Sequence, residues 1–91
     1  NGLIKKVVRQ AKQKNRFAIH MLLIQLYSHE GTQQEFKENS VANLISHLKW
    51  SVSFSQKIVN KSIDSGLIRK TGDQLFLTQL GRETAKSTLS Q

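Results

Sequence analysis

The chain has no cysteine and no proline, and only five glycines, one tryptophan and one tyrosine among its 91 residues. Without cysteine, disulfides and thiolate metal sites are excluded, and a reducing compartment suits the protein. The lack of proline and the scarcity of glycine favour long helices over a strand-and-turn architecture. Acid is scarce too. Six Asp and Glu against fourteen Lys and Arg leave a net charge of +8, which points to an anionic partner, either nucleic acid or a membrane surface. No apolar run reaches bilayer length: the densest, Phe17 to Tyr27, has eleven residues and is interrupted by His20 and Gln25. The tripartite pattern of a signal peptide is missing. So are phosphate-binding glycine loops, serine elbows and paired carboxylates, so no catalytic residue or cofactor is assigned and an enzyme is not expected.

What is present is unevenly placed. Lys5, Lys6, Arg9, Lys12, Lys14 and Arg16 all precede residue 17, a stretch with no acid; from Phe17 onward eight basic and six acidic residues leave only +2. The chain therefore divides into a basic amphipathic arm, residues 1–16, which suits a juxtamembrane segment, a nucleic-acid arm or an ordinary charged helix, and a nearly neutral domain, residues 17–91. A start at Asn1 rather than Met suggests a piece of something longer.

Leu3, Ile4, Val7, Val8 and Ala11 mark one stripe of a helix. Phe17 to Tyr27 is apolar on most sides, as expected of a helix at the centre of a small core; whether the two run together through Asn15 stays open. Gly31 is a natural stop, and Thr32 to Asn39 reads as a polar loop anchored by Phe36. Ser40 can cap a helix over Val41 to Leu48. Lys49 to Ser51 breaks the chain at Trp50, which either caps the core or anchors an interface. Ser51 or Ser53 can cap a helix over Phe54 to Ser65, with Phe54, Ile58, Val59, Ser62 and Ile63 inward. Gly66 ends it. Leu67 to Lys70 and Gln74 to Leu77 are short strands around Thr71-Gly72-Asp73. Thr78 can cap a last helix through Leu89, weakened by Gly81.

This order predicts a mainly α domain with a small β-hairpin, the plan of a winged helix-turn-helix, in which Phe54 to Ser65 would be the recognition helix and Arg69 to Leu77 the wing. Its outward side chains would be Ser55, Gln56, Lys57, Asn60, Lys61 and Asp64. On a DNA-binding reading Lys57, Asn60, Lys61, Arg69 and Lys70 would make the contacts. Asp64 and Asp73 would repel phosphate, and +2 supplies little of the phosphate-binding energy that base readout rides on. His20, His29 and His47 are the only nitrogen donors for a metal. His20 and His29, nine residues apart, are not a one-face pair. His47 could approach either in space with Glu30 adding a carboxylate, but a lone buried His is more often a hydrogen-bonded core residue and no metal site is assigned.

One resemblance extends over the whole chain. Its residues are Gly2-Leu3-Ile4-Lys5-Lys6, Phe17-Ala18-Ile19-His20-Met21-Leu22-Leu23, His29-Glu30-Gly31-Thr32, His47-Leu48-Lys49-Trp50, and Gly66-Leu67-Ile68 with Leu77-Thr78-Gln79-Leu80-Gly81-Arg82. Together they resemble the cytoplasmic C-terminal extension that some bacterial metal-type (manganese, zinc, iron) ABC transporter permeases carry after their last membrane span. That extension is similar to the winged-helix domain of metal-dependent repressors, whose metal ligands have no counterpart here. The resemblance implies a regulatory or interaction domain at the cytoplasmic face of the inner membrane. Its partners would be the rest of the permease, the transporter ATPase subunit, an anionic lipid surface or a second copy of itself. The alternative is a winged-helix DNA-binding regulator. The arm agrees with the first reading, because an acid-free basic segment is what the positive-inside rule places beside a membrane helix.

Overall fold

Between Gly2 and Gly31 neither glycine nor proline interrupts the chain, and the first helix is accordingly continuous. In a computed structural model, which describes residues 2–90 with side chains from residue 4, α1 spans Gly2–His29. Its 28 residues measure about 42 Å at 1.5 Å per residue. The boundary between arm and domain therefore falls inside one helix, and the side chain of Leu3 lies outside the described residues. Ala18, Leu22, Leu23 and Leu26 of α1 are the centre of the core. Phe17 is not part of it: it is 66% exposed, because the core face is the row through Ala18, Leu22 and Leu26, and Phe17 lies off that row.

The stretch expected to be a loop contains a short helix, α2 (Glu35–Glu38). Phe36, expected to anchor it, is 79% exposed. The anchor is polar instead. Asn39 is buried, and its Nδ2 donates to the Leu26 carbonyl at 3.0 Å.

Ser40 caps α3 (Val41–His47), its Oγ accepting from the Asn43 N–H, and Ser51 caps α4 (Val52–Asp64), accepting from Phe54 N–H. Leu44, Ile58 and Val59 turn into the core. Two details of α4 differ from expectation. Ser55 is fully buried rather than outward, and Ile63 is exposed rather than inward. Ser55 lies three and four residues before Ile58 and Val59, on the buried face; Ile63 sits beyond that face's edge, next to the helix end. Gly66 ends α4 at φ +74°, with Gly66 N–H bonded to Ile63 O and Leu67 N–H to Ser62 O, the paired bonds of a Schellman motif.

The hairpin pairs β1 (Ile68–Thr71) with β2 (Gln74–Leu77), antiparallel, with Ile68 opposite Leu77 and Thr71 opposite Gln74. Leu67 is left outside the strand and Thr71 joins it, so the turn is the two residues Gly72-Asp73. Gly72 takes φ +62°, as the first position of a type II′ turn requires. Ser40 adds a one-residue bridge to Gln74. Ile68, Leu75 and Leu77 close the core from this side.

Thr78 caps α5 (Gln79–Leu89) by accepting from Gly81 N–H, and its own hydroxyl reaches the Leu67 carbonyl at 3.0 Å. That carbonyl explains Gly81. A Cβ at position 81 would stand 1.9 Å from Leu67 O. The glycine that looked like a weak point of α5 is the reason α5 can pack against the exit from α4. Helix propensity alone makes Gly81→Ala stabilising by about 1 kcal/mol. The close approach reverses the sign: urea unfolding should show Gly81→Ala destabilised by about 3 kcal/mol, as an overpacked site.

Candidate functional site

Gln56, Lys57, Asn60, Lys61 and Asp64 form the exposed side of α4, as expected apart from Ser55. They divide between two flanks. Gln56 and Asn60 share a shallow depression with Lys70 and Asp73 of the hairpin. Lys57 faces the other way, toward Lys14, Lys49 and Trp50. Lys61 and Asp64 border a third depression with Lys12, Arg16 and His20 of α1. The Lys14 ammonium sits 5.0 Å from the centroid of the Phe54 ring. Trp50 meets the same ring edge-on, with centroids 5.3 Å apart and an interplanar angle of 88°. Helix α4 therefore crosses α1 between Lys12 and His20. The basic residues that the sequence divides into an arm and a domain meet at this crossing. Lys5, Lys6 and Arg9 are exposed on the turns that lead away from it, and no acid precedes Glu30 anywhere in α1.

The hairpin turn is held back against α3. Val41 N–H donates to the Asp73 carbonyl at 3.0 Å and Ala42 N–H to the Asp73 carboxylate at 3.3 Å. Asp73 thus does more than place a negative charge at the tip: it ties the tip to the start of α3, where a carboxylate is favoured by the free N–H groups. Arg69 and Lys70 stay exposed along β1.

The histidines do not converge. His29 donates through Nδ1 to the Gln25 carbonyl at 3.0 Å, His47 is exposed at the end of α3, and His20 lies beside Lys61. Among the described residues no group of three His, Asp or Glu side chains stands together as metal ligands.

Sequence reasoning missed the ion pair of Glu30 and Arg82, residues 52 apart, which ties the end of α1 to α5. Arg82 Nε donates to Glu30 Oε2 at 2.9 Å while Nη2 reaches Oε1, the two-pronged geometry of a strong pair. Only the coincidence of Gly31 after Glu30 and the capped start of α5 before Arg82 hinted that both sit near helix ends. Lys49 was missed as well. It follows α3 at φ +60°, a left-handed conformation that ordinarily selects glycine.

No family model matches the chain, and comparison with curated proteins and with solved structures returned no match either.

The hydrogen bonds from Arg82 hold the Glu30 carboxyl below its ordinary value, against an opposing push from partial burial. The same bonds raise Arg82. A carboxyl that is more acidic folded than unfolded adds stability above its unfolded value of about 4.3 and loses it as pH falls through the folded value. Glu30→Gln should therefore be less stable than the parent chain at neutral pH. In thermal melts across pH the difference should shrink as pH drops below about 4; a difference that stayed constant would show that the pair contributes no titratable stabilisation.

Proposed function

We propose that the chain is a winged-helix interaction module of a membrane metal-ion permease, working at the cytoplasmic face of the inner membrane through its N-terminal helix. In this reading α3 and α4 are the helix-turn-helix, the hairpin is the wing, and Ser40 supplies the wing's third, one-residue strand. No helix among the described residues is long and apolar enough to cross a membrane. The module's partners would be the rest of the permease, the ATPase subunit, a second copy or lipid.

The observation that carries the reading against base recognition is the tied wing. A wing that enters a minor groove must present its turn outward, whereas Asp73 holds this turn on α3 with two backbone N–H bonds. The turn itself offers a carboxylate and no cation. Base readout rides on phosphate neutralisation, and on the wing flank only Arg69 and Lys70 are on hand for it.

A second reading, the DNA-binding regulator, is favoured by one observation: Lys12, Lys14 and Arg16 of α1 gather beside Lys57 and Lys61 of α4, so α4 is more basic in space than along the chain. The two readings separate when the full chain is titrated with a random duplex and with the tightest duplex recovered from a mixed pool. Binding that is weak, indifferent to sequence and removed by salt is the expected result. A preference of about a thousandfold or more for one sequence, lost in the Lys57→Ala/Lys61→Ala variant, would overturn the permease reading in favour of the regulator.

A further inference from the structure

Along α1 one row repeats in alternating steps of four and three: Ile4, Val8, Ala11, Asn15, Ala18 and Leu22. That is the heptad spacing of a helix that packs along another helix, with Val8, Asn15 and Leu22 at a and Ile4, Ala11 and Ala18 at d. From Ala18 onward the domain covers the row, and Ala18 and Leu22 are buried. Asn15 is half-buried at the edge of the domain. Before it, Val8 and the neighbouring Val7 are 48% and 56% exposed, and Ala11 is exposed too. The flanking e and g positions there are Lys5, Val7, Lys12 and Lys14, lysine at all but one. Lys5, Arg9 and Lys12 stand together along one edge of the row, beside Ile4 and Val8. At its inner end α4 rises as a wall, with Lys57 beside Lys14 and Lys61 beside Lys12.

We infer that the arm is the basic half of a coiled coil and takes up, along Ile4 to Asn15, an acidic amphipathic helix of another protein. The inference rests on the interaction-module reading and deepens it by naming the kind of partner. A guest helix packs about 8–10 Å from the α1 axis, so it lies on the arm in the layer that α4 occupies on the domain half. A flat bilayer has no such access, since α4 and the core stand on the same face. A nucleic acid interface is polar and wet and leaves Val7 and Val8 in water. Charge at e and g sets partner choice in helix pairs of this kind. A second copy would set lysine against lysine along the flanks, with no acid in α1 before Glu30 to relieve it. Glu at the guest's e and g positions instead meets Lys5, Lys12 and Lys14. A single polar residue at an a position fixes register, and Asn15 supplies it. The lysines at the α4 wall favour the guest's C-terminal end, whose last carbonyls carry partial negative charge. The guest therefore runs parallel to α1.

The probe is a synthetic peptide of about three heptads, with Leu at a and d except for a single Asn at a, and Glu at every e and g. It contains no tryptophan, so Trp50, the only tryptophan and a neighbour of Lys14 and Lys57, reports on the inner end of the row. Binding to the full chain is followed by anisotropy of the labelled peptide and by Trp50 emission. The Glu peptide should bind, weakened by salt and with a change in Trp50 emission, whereas a peptide with Lys at e and g should not. Lys5→Glu/Lys12→Glu should weaken the Glu peptide roughly tenfold and admit the Lys peptide. Val7→Ser/Val8→Ser should weaken it about tenfold at unchanged charge. The melting temperature of that variant should stay the same, because neither valine belongs to the core. No binding of the Glu peptide, equal binding of a scrambled peptide of the same composition, or full affinity in Lys5→Glu/Lys12→Glu would each overturn the inference. So would a random duplex or phosphatidylglycerol vesicles binding more tightly than the Glu peptide. Failure of the peptide without any duplex sequence preference removes the coiled coil and leaves the module reading standing; a preferred duplex, lost in Lys57→Ala/Lys61→Ala, removes both.

Discussion

Three consecutive residues, Asn39 and Ser40 between α2 and α3 and Val41 at the start of α3, hold the molecule together. Asn39 donates from its side chain to Leu26 of α1, and its own carbonyl takes the Leu75 N–H at 2.9 Å. Ser40 pairs with Gln74 across the sheet and caps α3 with its hydroxyl. Val41 N–H then reaches Asp73. A buried backbone polar group left without a partner costs about as much as a lost hydrogen bond, so this seam fixes α1, α3 and the hairpin with respect to one another. The position of α4 follows, since its Ile58 and Val59 must join the core to which α1 contributes Ala18, Leu22 and Leu26. With α4 in place, Lys57 and Lys61 come to face the arm.

That crossing changes what the charge of the protein means. Counted along the chain, the basic residues belong to an arm and the rest of the molecule is close to neutral. Counted in space, the last turn of the arm and the outer edge of α4 form one cationic surface, while the hairpin side of α4 carries only Lys70 against Asp73. The largest gathering of cations among the described residues is therefore the α1–α4 corner. The hairpin tip is occupied by its own contacts with α3.

What could be read in the sequence was short-range. The caps at Ser40 and Thr78 and the stop at Gly66 are each set by chemistry within four residues and stand where expected. The cap of α4 was left open between Ser51 and Ser53, and the helix starts at Val52, two residues before the expected Phe54. The mainly helical order with a two-stranded hairpin follows from the same signals. Whether α1 was one helix could not be read, because Asn15 neither breaks a helix nor favours one. The misreadings share one cause, namely contacts distant in sequence. Phe36 was a reasonable anchor for a polar loop, but the side-chain N–H of Asn39 satisfies the Leu26 carbonyl, which no phenylalanine can. Gly81 looked like a flaw until Leu67 O was found against it. Of the site, the exposed lysines of α4 and of the arm were legible as residues; their meeting was not, since it depends on where two helices cross.

The hairpin turn is docked on α3 through Asp73. Native-state hydrogen exchange at Val41 and Ala42 tests it most directly, because both amides donate to Asp73. Val41 N–H should exchange as slowly as the core amides of α1 and β2, through global unfolding. Exchange of both amides at the rate of the projecting turns of α1 would mean a free wing, and would contradict it.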